Sequence, residues 1–202
     1  PPERITVSGI PIDPIFARAH DVPAIRQQLG LHAEKTTLLL SAGALGVGPA
    51  DFVVERLLCL KSDVQILAVC GRSLELRKRV EGILTGGRIP FRVFSYSERM
   101  HELMAASDLL IGKPGGLTTA EALACGLPMA IVSPTPGQEE RNADYLLEHG
   151  AAWRARGEGN LARKFDKLLE MPAQLESMKL AALELGKAHA AKTMRDKVAS
   201  DI

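Results

Sequence analysis

The chain of 202 residues has few aromatic side chains: one Trp, two Tyr and five Phe, or 4% of the total. So few rings leave little surface on which nucleic-acid bases could stack, and the net charge of +1 gives no attraction to a phosphate backbone. We therefore expect no nucleic-acid partner. No apolar run approaches the roughly 18 residues of a membrane span, and no secretory signal peptide precedes the first predicted strand. These absences predict a cytoplasmic protein.

The chain is also poor in cysteine, with Cys59, Cys70 and Cys125 set in apolar surroundings without the spacing of metal ligands. We expect these thiols to be small, reduced, buried side chains, and we expect no metal site. The sequence starts Pro1-Pro2 without an initiator methionine and runs directly into a strand-like segment. We expect it to be part of a longer protein.

Apolar, β-rich runs alternate with helical patterns along the chain, and some runs, such as those at 37–40 and 64–69, are nearly continuous in apolar residues. Strands of this kind are covered by helices on both faces. The pattern predicts an α/β fold with a doubly wound, parallel, Rossmann-like sheet, formed as a single domain over residues 1–202. Predicted strands are Ile5–Ser8, Thr36–Ser41, Val64–Val69, Phe91–Phe94, Asp108–Ile111, Met129–Val132 and, more weakly, Ala151–Arg154.

Helices are predicted between these strands. Their ranges are Val22–Leu29, Pro49–Lys61, Leu74–Leu84, Met100–Ala106, Thr119–Cys125, Glu139–Glu148 and Leu161–Glu170. The residues from about 173 to 202, rich in Ala, Lys, Leu and Glu, predict one long C-terminal helix. In such a sheet, ligands bind beyond the carboxyl ends of the strands.

The most informative segment, residues 113–121, has the sequence KPGGLTTAE and joins a buried strand to a helix. A helix start presents unpaired N–H groups and the positive end of the helix dipole, and Gly115 and Gly116 let an anion approach that backbone. Glu121, one turn later, could accept hydrogen bonds from sugar hydroxyls. A diphosphate beside a ribose fits this pattern. A capping box formed by Thr118 and Glu121 is the alternative.

Other glycine-rich turns also follow predicted strands. Gly43, Gly46 and Gly48 have the spacing G-x-x-G-x-G, which differs from the G-x-G-x-x-G of dinucleotide-binding folds. This loop either cradles phosphate, lets a facing domain approach closely, or is a tight turn between strand and helix. Arg72, at the end of the next strand, either pairs with a diphosphate or is a solvated loop charge.

Two further segments lie at strand ends. Tyr96 could cover a base while backbone groups at Ser97 read its edge, although packing of the tyrosine against the sheet is the simpler interpretation. Gln138 and Glu139 follow a loop fixed by two prolines and a glycine. An amide beside a carboxylate suits recognition of adjacent sugar hydroxyls, and helix capping is the alternative. We expect these loops to converge on one site.

The sequence resembles the C-terminal, donor-binding domain of GT-B glycosyltransferases of family 28, especially the monogalactosyldiacylglycerol synthases and the processive diacylglycerol glucosyltransferases. More distantly, it is similar to the MurG-like transferases of N-acetylglucosamine. The segments that carry the resemblance are GIPI at 9–12, residues 41–49, KPGGLTTAE at 113–121, and PGQE at 136–139 followed by Asn142. The resemblance covers essentially the whole chain.

The resemblance implies a role for each matching position. The turn and amides that would hold the donor diphosphate are those of Gly115, Gly116, Leu117 and Thr118. Glu121 would bind the ribose, and Tyr96 with the backbone of Ser97 would enclose uracil. Gln138 and Glu139 would hold the hexose, and residues 42–48 would line the cleft. Where many relatives carry an arginine after GIPI, this chain has Asp13. Arg72 or Lys113 would then supply the cation for the diphosphate.

The resemblance further implies a hexosyltransferase that uses a UDP-hexose, needs no cofactor, and acts on a diacylglycerol-type lipid as a peripheral membrane enzyme. The acceptor and the catalytic base would belong to an N-terminal domain that we expect this chain to lack, so it carries no catalytic residue of its own. Three alternatives remain: transfer of N-acetylglucosamine to a polyprenyl-linked acceptor, a nucleotide-sugar epimerase, and a non-catalytic nucleotide- or NAD-binding module.

Overall fold

The computed structural model describes residues 5–46, 49–154 and 160–200. Its centre is a single sheet of six strands in the order β3-β2-β1-β4-β5-β6, and every pairing is parallel. The strands are β1 (Thr36–Ser41), β2 (Val64–Val69), β3 (Phe91–Phe94), β4 (Leu109–Gly112), β5 (Met129–Ile131) and β6 (Ala152–Arg154). The predicted α/β class is confirmed, and these six strands agree with prediction to within one residue at each end.

Nine helices are present in the described ranges. They are α1 (Val22–Gln28), α2 (Ala50–Leu57), α3 (Leu74–Thr85), α4 (Met100–Ala105), α5 (Gly116–Ala124), α6 (Gln138–Glu148), α7 (Leu161–Leu169), α8 (Pro172–Leu185) and α9 (Ala190–Ser200). A short 3₁₀ turn, Pro14–Ala17, precedes α1. In the described part of the chain, no helix combines the length and the apolar character needed to cross a bilayer.

The helices cover both faces of the sheet and bury two separate hydrophobic clusters. Leu38 and Leu40 of β1 pack on one face with residues of α2, α3 and α7, while Leu39 packs on the other face with residues of α4, α5 and α6. All three side chains are buried. Because successive residues of a strand point to opposite faces, a sheet covered on both sides requires the nearly continuous apolar sequence that predicted it.

Polar groups at the amino ends of the central strands are hydrogen-bonded within the chain. Asp108, just before β4, accepts hydrogen bonds from the Thr37 amide at 2.7 Å and from Arg26 Nη2 at 2.9 Å. The buried Gln65 side chain bonds both backbone groups of His32 and donates to Thr37 Oγ1 at 2.9 Å. These bonds satisfy groups that would be costly to bury alone, and they fix how β1, β2 and β4 begin.

Asp166 of α7 forms hydrogen bonds that fix the loop leading into β2. Its carboxylate accepts from the amides of Lys61 and Ser62 and from the Ser62 hydroxyl, which lies 2.7 Å away. Burial alone would raise the pKa of Asp166, but the hydrogen bonds from Ser62 and Lys61 and the Lys61 charge outweigh it and lower that pKa. The ionised carboxylate is therefore a structural group that ties α7 to the sheet.

The predicted strand Ile5–Ser8 is wrong, because these residues form no ladder with the sheet. Ile5 and Val7 are 74% and 84% exposed, and the edge positions of the sheet belong to β3 and β6. Gly9, which follows with a φ of +87°, turns the chain next to Lys187 and Ala190. Local β propensity made this segment strand-like, but a strand also needs a neighbour with which to pair.

The single C-terminal helix from residue 173 is also wrong, because the chain breaks at Gly186 between α8 and α9. Gly186 leaves the helical conformation, and a Cβ at this position would lie 2.8 Å from the Leu123 carbonyl oxygen at the end of α5. Close approach of two backbones therefore explains the glycine. Residues 201 and 202 lie outside the described residues. The helix α2 ends at Leu57, before its predicted end at Lys61.

Candidate functional site

The carboxyl ends of β1, β4 and β5 surround a cavity of about 510 Å³. This volume falls within the roughly 300–1,000 Å³ of small-molecule sites. The cavity lies where the strand order reverses, between β1 and β4, which is the expected ligand position in an open α/β sheet. Five predicted site residues line it, and these are Gly43, Lys113, Gly115, Thr118 and Glu139.

The start of α5 is open toward this cavity. Gly115 is the N-cap residue, no side chain caps the helix, and a Cβ added to Gly115 would meet no atom within 4 Å. Among the described residues, the amides of Gly116, Leu117 and Thr118 have no hydrogen-bond acceptor. The capping box of Thr118 and Glu121 is therefore wrong, because the helix begins before Thr118. Unpaired amides at the positive end of a helix dipole can bind an anion.

Gly116 brings α5 close to the start of α6. A Cβ at Gly116 would lie 3.5 Å from Gln138 Nε2 and 3.2 Å from Ile10 Cδ1. Gln138 is the first residue of α6, which is likewise preceded by a glycine N-cap, Gly137, without a side-chain cap. Two predicted site residues from different loops, Gly116 and Gln138, are thus neighbours.

Lys113 and Glu139 meet through Thr135, whose part in the site sequence reasoning missed. Lys113 Nζ donates to Thr135 Oγ1 at 3.2 Å, and the Thr135 amide donates to Glu139 Oε2 at 2.6 Å. Burial would raise the pKa of Glu139, but the hydrogen bonds from Thr135 and the Lys113 charge lower it below its ordinary value. An ammonium group and a fixed carboxylate therefore face one cavity. The prolines on either side of Thr135 were the available signal for a rigid loop.

The glycines of the first loop serve two different purposes. A Cβ at Gly46 would lie 2.5 Å from the Cys70 carbonyl oxygen, and one at Gly71 would lie 2.3 Å from the Gly43 carbonyl oxygen. Gly46 and Gly71 therefore permit close packing of the loops after β1 and β2. Gly43, with φ +72°, has open space at its Cβ position and lines the cavity. Of the other residues predicted to line the cleft, Ala42, Ala44 and Leu45 do line the cavity, while Val47 and Gly48 lie outside the described residues.

Arg72 and Tyr96 form a pair beside this loop. The Arg72 guanidinium carbon lies 5.3 Å from the Tyr96 ring centroid, and Tyr96 is 52% exposed rather than packed against the sheet. The Arg72 amide donates to the carbonyl of Ala44, a residue that lines the cavity. The hydroxyl of Ser97 accepts from the Arg99 amide. None of the three predicted residues Arg72, Tyr96 and Ser97 lines the cavity itself.

Glu121 of α5 lies outside the cavity lining. The same is true of Gly116 and Leu117 of α5 and of Gln138 of α6. Glu121 is half-buried, and within the described ranges its carboxylate has no hydrogen bond and no ion pair. Burial raises the pKa of Glu121. A half-buried carboxylate without a partner costs stability in the free protein, and ligand hydroxyls could satisfy it.

Two further polar residues, in or next to the segments that carry the family resemblance, have structural partners. Asn142 of α6 donates from Nδ2 to the Pro114 carbonyl at 2.8 Å, a contact that sequence reasoning did not predict. Asp13, which replaces the expected arginine, caps the 3₁₀ turn by accepting from the Ile15 amide at 2.9 Å.

Comparison with known proteins agrees with this architecture. The model of the glycosyltransferase family 28 C-terminal domain matches residues 52–194. The processive diacylglycerol beta-glucosyltransferase of Bacillus pumilus is 34% identical over 199 residues, which cover 98% of this chain and 51% of the relative. The chain thus spans about half the length of the curated relatives that it matches.

Solved structures share the fold. Acinetobacter baumannii MurG superposes with a TM-score of 0.76 at 20% identity, covering 92% of this chain and 55% of that one. Anabaena HepE in complex with UDP-glucose superposes with a TM-score of 0.65 at 17% identity, covering 94% and 56%. The match of the family model over residues 52–194, well over half of the chain, shows that the chain belongs to glycosyltransferase family 28, whose C-terminal domain it contains.

Proposed function

We propose that this chain binds the UDP-hexose donor of an enzyme that transfers a hexose to a diacylglycerol-type lipid. The observation that carries the proposal is the uncapped start of α5, with Gly115 and Thr118 on the 510 Å³ cavity and the Lys113 ammonium group beside them. Support for the acceptor comes from the relatives, which are diacylglycerol glucosyltransferases. Support for the donor includes HepE, a protein of the same fold with UDP-glucose bound.

The reaction is a displacement at the anomeric carbon of the hexose. A bond forms between this carbon and the acceptor hydroxyl oxygen, while its bond to the diphosphate breaks and UDP leaves with the electron pair. The amides of Gly116, Leu117 and Thr118 and the cation of Lys113 would stabilise the charge that develops on the leaving diphosphate. The base that takes the acceptor proton is proposed to lie in the parent enzyme outside these residues.

The remaining predicted residues recognise the other parts of the donor in this proposal. Glu121 accepts hydrogen bonds from the ribose hydroxyls, and Tyr96, Ser97 and Arg72 lie on the side of the uracil and its adjoining phosphate. Gln138 and Glu139 hold hexose hydroxyls. No cofactor and no metal ion are required, and the parent enzyme would work at the cytoplasmic membrane surface without crossing it. Nucleic acid is not a partner.

Calorimetry with UDP, 2′-deoxy-UDP and NAD tests the donor site. We expect UDP to bind and NAD to give no heat, because the glycine loop differs from the dinucleotide pattern. Wild-type protein should bind 2′-deoxy-UDP about ten-fold more weakly than UDP, the factor expected for a lost hydrogen bond to a charged acceptor. Glu121→Gln should bind both about equally. Binding of NAD in place of UDP would overturn the proposal.

The acceptor part needs a separate assay. UDP-glucose, UDP-galactose and UDP-N-acetylglucosamine should be compared for binding, since preference for the last would favour transfer to a polyprenyl-linked acceptor. The chain alone, mixed with UDP-glucose and diacylglycerol vesicles, should form no glycolipid. Appreciable transfer would contradict the placement of the base outside these residues.

A further inference from the structure

The peptide between Pro114 and Gly115 is held at both ends. Its carbonyl oxygen accepts from Asn142 Nδ2 at 2.8 Å, and its N–H, on Gly115, donates to the Lys113 carbonyl at 2.9 Å. This peptide immediately precedes the first residue of α5. Its orientation therefore sets the direction in which the unpaired amides of the helix start point.

Asn142 makes this contact from α6, 28 residues further along the chain. It lies one helical turn after Gln138, so the two side chains share a face of the helix. On that face, Gln138 Nε2 lies 3.5 Å from the Cβ position of Gly116, and Asn142 reaches Pro114. The starts of α5 and α6 thus meet at two points, and Asn142 makes a hydrogen bond at one of them.

We propose that Asn142 is a positioning residue that keeps the diphosphate-binding start of α5 in register with the hexose-binding residues Gln138 and Glu139. This inference rests on the proposed function. The two parts of the donor are then recognised by separate helix starts, which the Asn142 hydrogen bond joins directly, in addition to the contact of Lys113 with Thr135 in the preceding loops. Loss of the Asn142 bond leaves each half of the site intact but misplaced relative to the other.

A positioning role predicts a result that a structural role does not. A substitution that only loosens the fold lowers the melting temperature and weakens all ligands alike. A substitution that changes the distance between the two helix starts reduces the affinity for UDP-hexose more than that for UDP, because in the proposed site Gln138 and Glu139 hold the hexose, which UDP lacks. The informative quantity is the ratio of the two dissociation constants.

The experiment compares Asn142→Asp and Asn142→Ala with wild type. Asp keeps the size of the side chain but places a carboxylate, which cannot donate, against the Pro114 carbonyl. Calorimetry with UDP and with the UDP-hexose that wild type binds best gives the ratio, and thermal unfolding gives the stability. Glu148→Gln, an exposed position at the far end of the same helix, is the control.

We expect the dissociation constant for UDP-hexose, relative to that for UDP, to rise about five-fold in both variants, the factor of one hydrogen bond. The control should leave the ratio unchanged. An unchanged ratio in both folded variants would overturn the positioning role even if their melting temperatures fell. If wild-type protein bound no UDP, the failure would lie with the proposed function instead.

Discussion

The polar groups at the two ends of the sheet differ in how many hydrogen bonds they make within the protein. At the amino ends of the strands, Asp108, Gln65 and Asp166 each form several hydrogen bonds with neighbouring segments. At the carboxyl ends, the start of α5 has unpaired amides, and the half-buried carboxylate of Glu121 has no partner within the described residues. One end of the domain is organised for stability, and the other leaves groups available to a ligand.

This difference suggests that stability and binding can be changed separately. The largest effect should come from Asp166→Ala, which leaves the partly buried amides of Lys61 and Ser62 without their acceptor. We expect the free energy of unfolding to fall by about 3 kcal/mol. Affinity for UDP, measured below the unfolding transition, should not change.

Urea unfolding measures this stability change, and Asp196→Ala on α9 is the matched control. The exposed carboxylate of Asp196 accepts from its neighbour Arg195, so its loss should change stability by less than about 0.5 kcal/mol. If Asp166→Ala weakened UDP binding as strongly as it weakened the fold, the proposed separation of the two ends would be wrong.

Gly43 and Gly46, two glycines of one loop, allow effects on stability and on UDP binding to be compared at neighbouring positions. Gly43→Ala and Gly46→Ala both place a side chain at positive φ, which costs about 1–2 kcal/mol. Gly46→Ala also forces a Cβ against the Cys70 carbonyl, which should cost about 1–3 kcal/mol more. Gly43→Ala should instead weaken UDP binding, because its side chain enters the cavity lining. Chemical unfolding together with calorimetry distinguishes these effects, and equal stability losses would contradict them.

The carboxylates of the two ends should also respond to pH in opposite directions. Burial raises the pKa of Glu121 above the ordinary 4.5, so the folded state binds this proton more tightly and ionisation destabilises it. The stability advantage of Glu121→Gln over wild type should therefore grow as pH rises above about 4.5. The pKa of Asp166 lies below the ordinary 3.8, so its contribution is complete above that value and is lost as pH falls.

Unfolding of wild type, Glu121→Gln and Asp166→Asn between pH 3 and pH 8 tests both slopes. The difference between wild type and Asp166→Asn should shrink at the acidic end. Parallel curves for Glu121→Gln and wild type throughout this range would show that Glu121 is satisfied by a partner after all.

The smallest effect should come from Arg72, which is exposed and stacks on Tyr96. We expect Arg72→Gln to weaken UDP binding by about two- to five-fold at low salt, the range of an exposed ion pair between the guanidinium and a phosphate. The loss should diminish as ionic strength rises, because salt screens an exposed charge. Titrations at two salt concentrations check this, and a salt-independent loss would indicate a role other than charge.

Most of the fold, but only part of the site, could be predicted from local sequence patterns. The buried strands β1 and β2 were predictable because both of their faces are covered. A glycine turn that leads into a helix was also predictable at Gly115 and Gly116, although the helix begins at Gly116 and not at the predicted Thr119. The contacts of Asn142 with Pro114 and of Arg26 with Asp108 were not predictable, because they join residues 28 and 82 positions apart. No local pattern specifies such partners, which depend on the packing of whole helices.

The wrong predictions of a strand at 5–8 and of an unbroken C-terminal helix also arose because local patterns do not specify tertiary contacts. The segment Ile5–Ser8 has the composition of a strand, but only the assembled sheet shows that its edges are taken. Gly186 was visible in the sequence, yet its reason, the Leu123 carbonyl at 2.8 Å from a Cβ, is a tertiary contact. Because the residues on both sides of Gly186 favour helix, the sequence predicted one continuous helix instead of two.

The helix α9 has a consequence for the dynamics of the domain. Of its residues 190–199, only Ala190 is buried, while Met194 and Val198 are 44% and 62% exposed. A helix of this length is marginal in water without tertiary packing. Its backbone amides should therefore exchange with deuterium long before those of β1 and β2, so that the final eleven residues of helix open and close while the sheet remains folded.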